Sequence, residues 1–292
     1  MRLGAPILES YDTPEEWVRL VRREGYGAAY CPVDVGTEPE QVDLYAQAAE
    51  EAGIVIAEVG AWGSNPLSAD AAEAERSLEY CRTALALADR IGARCCVNIP
   101  GSPGPVWGGP AAENFTAETF TRIVKSVQRI IDAVQPERTY YTVEIMPWIA
   151  PDDLDSYVRL LEAVERERFA VHFDPANLVN DARKYYSTGE LIKEFVGKLG
   201  PVIRSCHAKD ILIDEDFPPW TVRLFEAQPG AGNLAWTTLL TELARLDPDL
   251  PLMLEHLETT EEYRAGADHI RTTAAANGVD FVGSPPERAS AQ

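Results

Sequence analysis

The sequence predicts a closed (β/α)8 barrel built as a single domain, and three observations carry that expectation. Short apolar runs are separated, one after another, by helical runs with a single apolar stripe. Eight such strand runs can be counted, the number that closes a parallel sheet on itself. No Gly-x-Gly-x-x-Gly follows any of them, as an open dinucleotide-binding sheet would require. The 292 residues also match the length at which such barrels run undivided.

The strand runs fall at 3–7, 28–32, 54–59, 94–99, 140–145, 169–173, 202–207 and 252–255. The clearest helix, over 117–135, places Phe120, Ile123, Val124, Val127, Ile130, Ile131 and Val134 on one stripe. Leu78, Cys81, Leu85 and Ala88 repeat the spacing before it, and Trp236, Leu239, Leu240 and Leu243 after it. Asp12 or Thr13 caps a first helix with Pro14 in its opening turn, while Gly53 and Gly92 stop helices directly before strands. The barrel is expected to occupy 1–282, and the Pro/Ser-rich end 283–292 is expected to be a loose tail.

The charge balance narrows the function. With 26 Lys+Arg against 47 Asp+Glu, the net charge of −21 repels nucleic acid and anionic membranes, and argues against a highly anionic substrate. No apolar run approaches the ~18 residues of a membrane span, and the opening residues contain no leader-like apolar core. Cys31, Cys81, Cys95, Cys96 and Cys206 are odd in number, without metal-type spacing, and fit a reducing cytoplasm.

In such barrels chemistry gathers at the C-terminal strand ends. There the last four strands present Glu144, Asp174, His207 and Glu255 in succession. Any one acid could be a loop cap or an ion-pair partner. Converging carboxylates without a cation repel each other, and burial raises that cost, so the four together point to a divalent ion. Three oxygens and one nitrogen suit Mn²⁺, the expected ion, with Mg²⁺ or Co²⁺ as alternatives, better than structural Zn²⁺. His172, two residues before Asp174, is expected deeper, as a packed or supporting neighbour rather than a ligand. His256 is expected to point away from Glu255 and pack beneath helices. Lys209 is placed either to touch substrate or to neutralise an acid. Trp62 and Trp148 are candidates to wall a sugar-sized pocket, and Asn98 and Glu58 to line its floor or serve structure.

The segments "VEIMPW" at 143–148, "FDPAN" at 173–177, "HAKD" at 207–210, "QPGAGNLAW" at 228–236 and "LEH" at 254–256 resemble the sugar phosphate isomerase/epimerase superfamily, the xylose-isomerase-like TIM barrels. The resemblance covers nearly the whole chain. It implies that Glu144, Asp174, His207 and Glu255 bind one divalent metal, with Glu144 and Glu255 as acid/base groups. It further implies isomerase or epimerase activity, in which a proton next to a carbonyl is abstracted through a metal-stabilised enediolate. Ketose 3-epimerases of the superfamily carry a substrate-binding His where this chain has Asn177, and a Glu and an Arg after the strand-seven His where it has "HAKDILIDEDF". The alternative is therefore a metal-dependent lyase or dehydratase acting on a keto-sugar or keto-inositol. A repair endonuclease of the same barrel type would need many more than the four histidines present. A non-catalytic barrel is the remaining reading. The expected partner is a small unphosphorylated sugar or polyol-ketone, with a homo-oligomer possible. Arg183 and Lys184 are the nearest candidates for a phosphate, and no Gly-rich cradle accompanies them.

Overall fold

The computed structural model describes residues 1–214 and 221–283. The barrel strands are β1 (Arg2–Ala5), β2 (Ala28–Ala29), β3 (Val55–Ile56), β4 (Glu58–Gly60), β5 (Cys95–Asn98), β6 (Tyr141–Glu144), β7 (Phe169–Phe173), β8 (Ile203–Ala208) and β11 (Pro251–Leu254). Each pairs with its neighbours in parallel, in the order β3-β2-β1-β11-β8-β7-β6-β5-β4. Both ends of this order belong to one chain segment, because β3 and β4 are separated only by Ala57. β3 pairs with β2 and β4 with β5, so the segment closes the ring as its third position and eight positions result. The expected (β/α)8 barrel is what forms.

Helices α1 (Pro14–Arg23), α2 (Pro39–Ala52), α3 (Ala71–Ile91), α4 (Ala117–Val134), α5 (Leu154–Val164), α6 (Ala182–Tyr185), α7 (Thr188–Leu199), α8 (Trp236–Leu243) and α9 (Thr260–Ala276) follow the strands. Thr13 is the cap of α1, its hydroxyl accepting from the Glu16 N–H, and Gly53 and Gly92 end α2 and α3 at φ 65° and 78°. Ile123, Val127, Ile130 and Ile131 of α4 are buried in the core between sheet and helices, as the stripe predicts.

A second, small apolar cluster lies inside the barrel: Ala28, Ala57 and Met253, with Tyr30 and Val55 against them. The fit there is tight. A Cβ on Gly4 would stand 2.5 Å from the Ala28 carbonyl oxygen and 2.6 Å from the Met253 sulfur. The barrel interior is thus filled by apolar groups at one level and by polar groups at another.

Two irregularities shift side chains in the wall. At Ala57 the third strand is interrupted, and between Val171 and His172 the pairing with β8 slips, from Val171 opposite Ile203 to His172 opposite Ser205. Unanticipated by the sequence reading is an antiparallel hairpin after β8, formed by β9 (Asp210–Ile213) and β10 (Leu224–Ala227). Among the described residues no helix is long and apolar enough to cross a membrane. All five cysteines are free. From residue 284 the expected C-terminal tail lies outside the described residues.

Candidate metal centre

The four strand-end residues converge. One atom from each of Glu144, Asp174, His207 and Glu255 lies within 4.8 Å of the other three. His207 Nδ1 stands 2.8 Å from Glu255 Oε1, 3.0 Å from Glu144 Oε1 and 3.6 Å from Asp174 Oδ2. Asp174 Oδ1 accepts backbone N–H groups of Ala176 and Asn177, which fixes the carboxylate plane over the "DPAN" turn. Its Oδ2, and Oε1 of Glu255, are buried and accept no backbone N–H; both face the Lys209 ammonium instead. Three buried carboxylates gathered around one point need more positive charge than a single ammonium brings, and three oxygens with one imidazole nitrogen are the donor set of a divalent cation. The residues present fit such an ion.

Lys209 is the cation beside them. Its Nζ is 2.7 Å from Glu255 Oε1, 2.8 Å from Asp174 Oδ2, 3.1 Å from Glu226 Oε1 and 3.9 Å from Glu144 Oε1. Burial opposes the charge on Lys209, but Asp174 and Glu255 outweigh it and hold the ammonium well above the usual lysine range. The same competition lowers Asp174, where Lys209 and His207 overcome burial, and brings Glu255 down to about 2. For Glu144 burial wins, and its carboxyl is pushed up.

Glu58 and His172 form a layer behind His207. Glu58 Oε1 is 3.0 Å from His207 Nε2, and Oε2 is 2.7 Å from His172 Nε2. Burial disfavours the Glu58 charge, but the two imidazoles hold its carboxyl well below the ordinary range. The His172 and His207 rings meet edge to face, with centroids 4.1 Å apart and planes at 72°. His172 is fully buried and touches the ligand set through Glu58 and His207, the supporting place expected of it. Glu58 was expected at most to line the pocket floor. Its contact with His207 was hidden by the break at Ala57, which a period-two reading of the strand does not foresee.

The remaining candidates divide. Asn177 donates from Nδ2 to Glu144 Oε1 at 3.2 Å, so it belongs to the cluster. The Trp62 ring lies 6.4 Å from the His207 ring and is 40 % exposed. A Cβ at position 60 would sit 2.1 Å from Trp62 Nε1, so glycine there lets the indole fold back. Trp148, partly exposed, donates from Nε1 to the Gly108 carbonyl at 2.6 Å and accepts from Asn114 at its own carbonyl, joining the loops after β5 and β6.

Two expectations need correction. Asn98 gives its amide N–H groups to the Ser64 carbonyl and the Cys81 sulfur of α3; its side chain therefore faces the helices and braces a loop instead of lining the pocket floor. His256 is 59 % exposed, not packed beneath helices. Its backbone is left-handed at φ 57°, which carries the ring to Glu226, 2.7 Å from Nδ1 to Oε2. Glu226 comes from the hairpin, and with Lys209 and His256 it makes a polar rim that the sequence reading missed.

Comparison with known proteins adds the following. The family model described as xylose isomerase-like TIM barrel matches residues 18–273. No curated protein matches the chain in sequence. D-psicose 3-epimerase with D-tagatose, from Clostridium cellulolyticum H10, is 14% identical with a TM-score of 0.66, over 94% of this chain and 99% of that one. The probable 3-DHS dehydratase AsbF from Bacillus anthracis is 14% identical at TM-score 0.67, over 95% and 99%. A xylose isomerase-like TIM barrel protein from Mycobacterium smegmatis, in complex with magnesium, is 14% identical at TM-score 0.66, over 95% and 97%. At such identities these structures share the fold.

Proposed function

Because the chain belongs to the xylose isomerase-like TIM barrel family, we propose that it is a divalent-metal-dependent sugar isomerase or epimerase. The observation that carries this reading is the convergence of four buried or nearly buried donor atoms, one each from Glu144, Asp174, His207 and Glu255, within 4.8 Å of one another, more carboxylate charge than the neighbouring Lys209 ammonium can balance. Glu144, Asp174, His207 and Glu255 hold the ion, with Mn²⁺ the expected one. When bound, it supplies positive charge to the substrate oxygens on which negative charge grows as a carbon-bound proton leaves.

The chain's own residues do the rest. Glu144 or Glu255 takes the proton next to the carbonyl, and the other carboxyl returns one to the opposite face. Asn177 steers Glu144 through its amide. The Lys209 ammonium and the Glu226–His256 pair offer donors and acceptors to hydroxyl groups, and Trp62 and Trp148 offer apolar faces to a small uncharged ketose or polyol-ketone. The acidic surroundings disfavour a phosphorylated substrate. Five free cysteines fit a cytoplasmic enzyme.

A second reading, loss of water or another β-substituent after the same proton removal, is favoured by one observation. Asn177 stands on Glu144 where the ketose 3-epimerases carry a substrate-binding His. One experiment addresses both. Protein stripped with chelator is titrated with Mn²⁺, Mg²⁺ and Co²⁺ by calorimetry, then incubated with a ketose and keto-inositol panel in deuterated water. Binding of an ion, with deuterium entering an epimerised product, supports the first reading; a dehydrated product supports the second. Failure to bind any of the three ions sinks both.

A further inference from the structure

We infer that Glu58 is the positioning residue of this centre: when an ion is bound, it fixes the tautomer of His207, so that the nitrogen turned toward Glu144, Asp174 and Glu255 offers the ion a lone pair. The inference deepens the metal-dependent reading and rests on it.

The argument begins in the backbone. In the third barrel strand Ile56 and Val59 belong to the core between sheet and helices, whereas Ala57 belongs to the cluster inside the barrel. Strict alternation would send Glu58 outward with Ile56. The interruption at Ala57 puts an extra residue into the wall, and Glu58 joins Ala57 on the inside. A carboxylate there, 1% exposed, is costly unless both oxygens are engaged, and each of them takes one imidazole.

A carboxylate can only accept hydrogen bonds, so Nε2 of His207 and Nε2 of His172 each carry their hydrogen toward Glu58. Without an ion the same rule puts a hydrogen on Nδ1 of His207 as well, since Glu255 and Glu144 lie 2.8 and 3.0 Å from it. With an ion held by the carboxylates the imidazole is neutral, and the nitrogen turned away from Glu58 is the one without hydrogen. For His207 that nitrogen is Nδ1, the atom 2.8–3.6 Å from the three carboxylates. A ring flip would exchange the two nitrogens, and His172 stands against it with its edge-to-face contact at 4.1 Å. His172 is itself held at its backbone N–H by the Tyr157 hydroxyl, 3.2 Å away. Glu58 thus reaches across the barrel from the third strand to orient a ligand on the seventh, as carboxylates behind metal-bound imidazoles do.

The test combines ¹⁵N NMR with calorimetry on the full chain. In wild-type protein loaded with Zn²⁺ as a diamagnetic probe, long-range ¹H–¹⁵N correlations should show His207 and His172 both protonated at Nε2. Finding His207 protonated at Nδ1 overturns the inference without any variant. Glu58→Leu should lower Mn²⁺ affinity by about 10–100-fold. Glu58→Gln, whose amide oxygen keeps one acceptor, should lower it less and should retain the Nε2–H form of His207. If wild type binds Mn²⁺ and both variants bind it equally well, Glu58 does not position the ligand while the metal-dependent reading stands. If wild type binds no ion, that reading falls and this inference falls with it.

Discussion

Asp174, following β7, and Asp210, opening β9, are both fully buried aspartates at the ends of adjacent barrel strands, yet their oxygens are treated differently. Asp210 is saturated by N–H groups. Oδ1 accepts from Ile211 and Leu234, and Oδ2 from Gly230 and the Trp236 indole, all at 2.8–2.9 Å. Asp174 engages Oδ1 with two backbone N–H groups and leaves Oδ2 with none. Burial is common to the two; an oxygen that meets an ammonium and no N–H of the backbone is not. Asp210 ties the "QPGAGNLAW" loop to the hairpin, and that is a structural task. Asp174 turns its second oxygen to positive charge, Lys209 Nζ at 2.8 Å, in the midst of the other strand-end groups, and that is a chemical one.

Exchanging the two roles by mutation should separate them. Asp174→Asn should abolish stabilisation by Mn²⁺, which at a concentration of one hundred times Kd raises wild-type stability by about 2.7 kcal/mol. It should also cut deuterium exchange by about 10²–10⁴-fold while the metal-free fold persists; thermal unfolding with and without Mn²⁺ reads the first effect and NMR the second. Asp210→Ala should do the reverse. Stripping acceptors from buried N–H groups costs on the order of 3 kcal/mol of stability, measured by denaturant unfolding, while Mn²⁺ affinity stays within about threefold of wild type. Equal loss of ion binding in both variants would break the distinction.

The comparison also explains what was legible in the sequence. The strand positions and the convergence of Glu144, Asp174, His207 and Glu255 follow from alternation and from the barrel's polarity, rules that hold wherever the wall is regular. Glu58, His256 and Asp210 depended on local departures. Glu58 turns inward because the strand is interrupted at Ala57. His256 swings to Glu226 because its φ is +57°. Asp210 finds most of its donors on a loop some twenty residues downstream, drawn in by a hairpin whose short second strand, Leu224–Ala227, lies outside the eight barrel runs. Residue type told of a titratable side chain in each case. Only backbone geometry told what it faces.

A smaller effect is expected at Asn177, which supplies Glu144 Oε1 with one donor at 3.2 Å. Asn177→Ala should leave ion affinity nearly unchanged and lower turnover by about tenfold, the worth of one hydrogen bond to a charged group. Asn177→His would sharpen the functional alternatives: a gain in epimerised over dehydrated product places specificity at this position. No change in either rate or product ratio would make Asn177 a bystander to the carboxylate it touches.

The weakest effect concerns a carboxylate satisfied by neither N–H groups of the backbone nor an ion. Glu24, partly buried where α1 ends, accepts from Arg264 at 2.7 and 2.9 Å and from Arg23 at 3.0 Å. The Arg264 hydrogen bonds lower its pKa from the ordinary glutamate value, with burial opposing. A depressed folded-state pKa contributes stability that is present above the unfolded value, near 4.5, and is lost as pH falls through the folded one. Guanidinium pairs at a surface are screened by water, so the contribution should stay below about 1 kcal/mol. Urea unfolding of wild type and Arg264→Leu between pH 7 and pH 3 tests the sign: the variant should be less stable at pH 7 and the gap should close toward pH 3. A gap that widens on acidification would mean that Arg264 acts through packing, and that guanidinium pairing at Glu24 does not belong beside the two aspartates as a third way to satisfy a carboxylate.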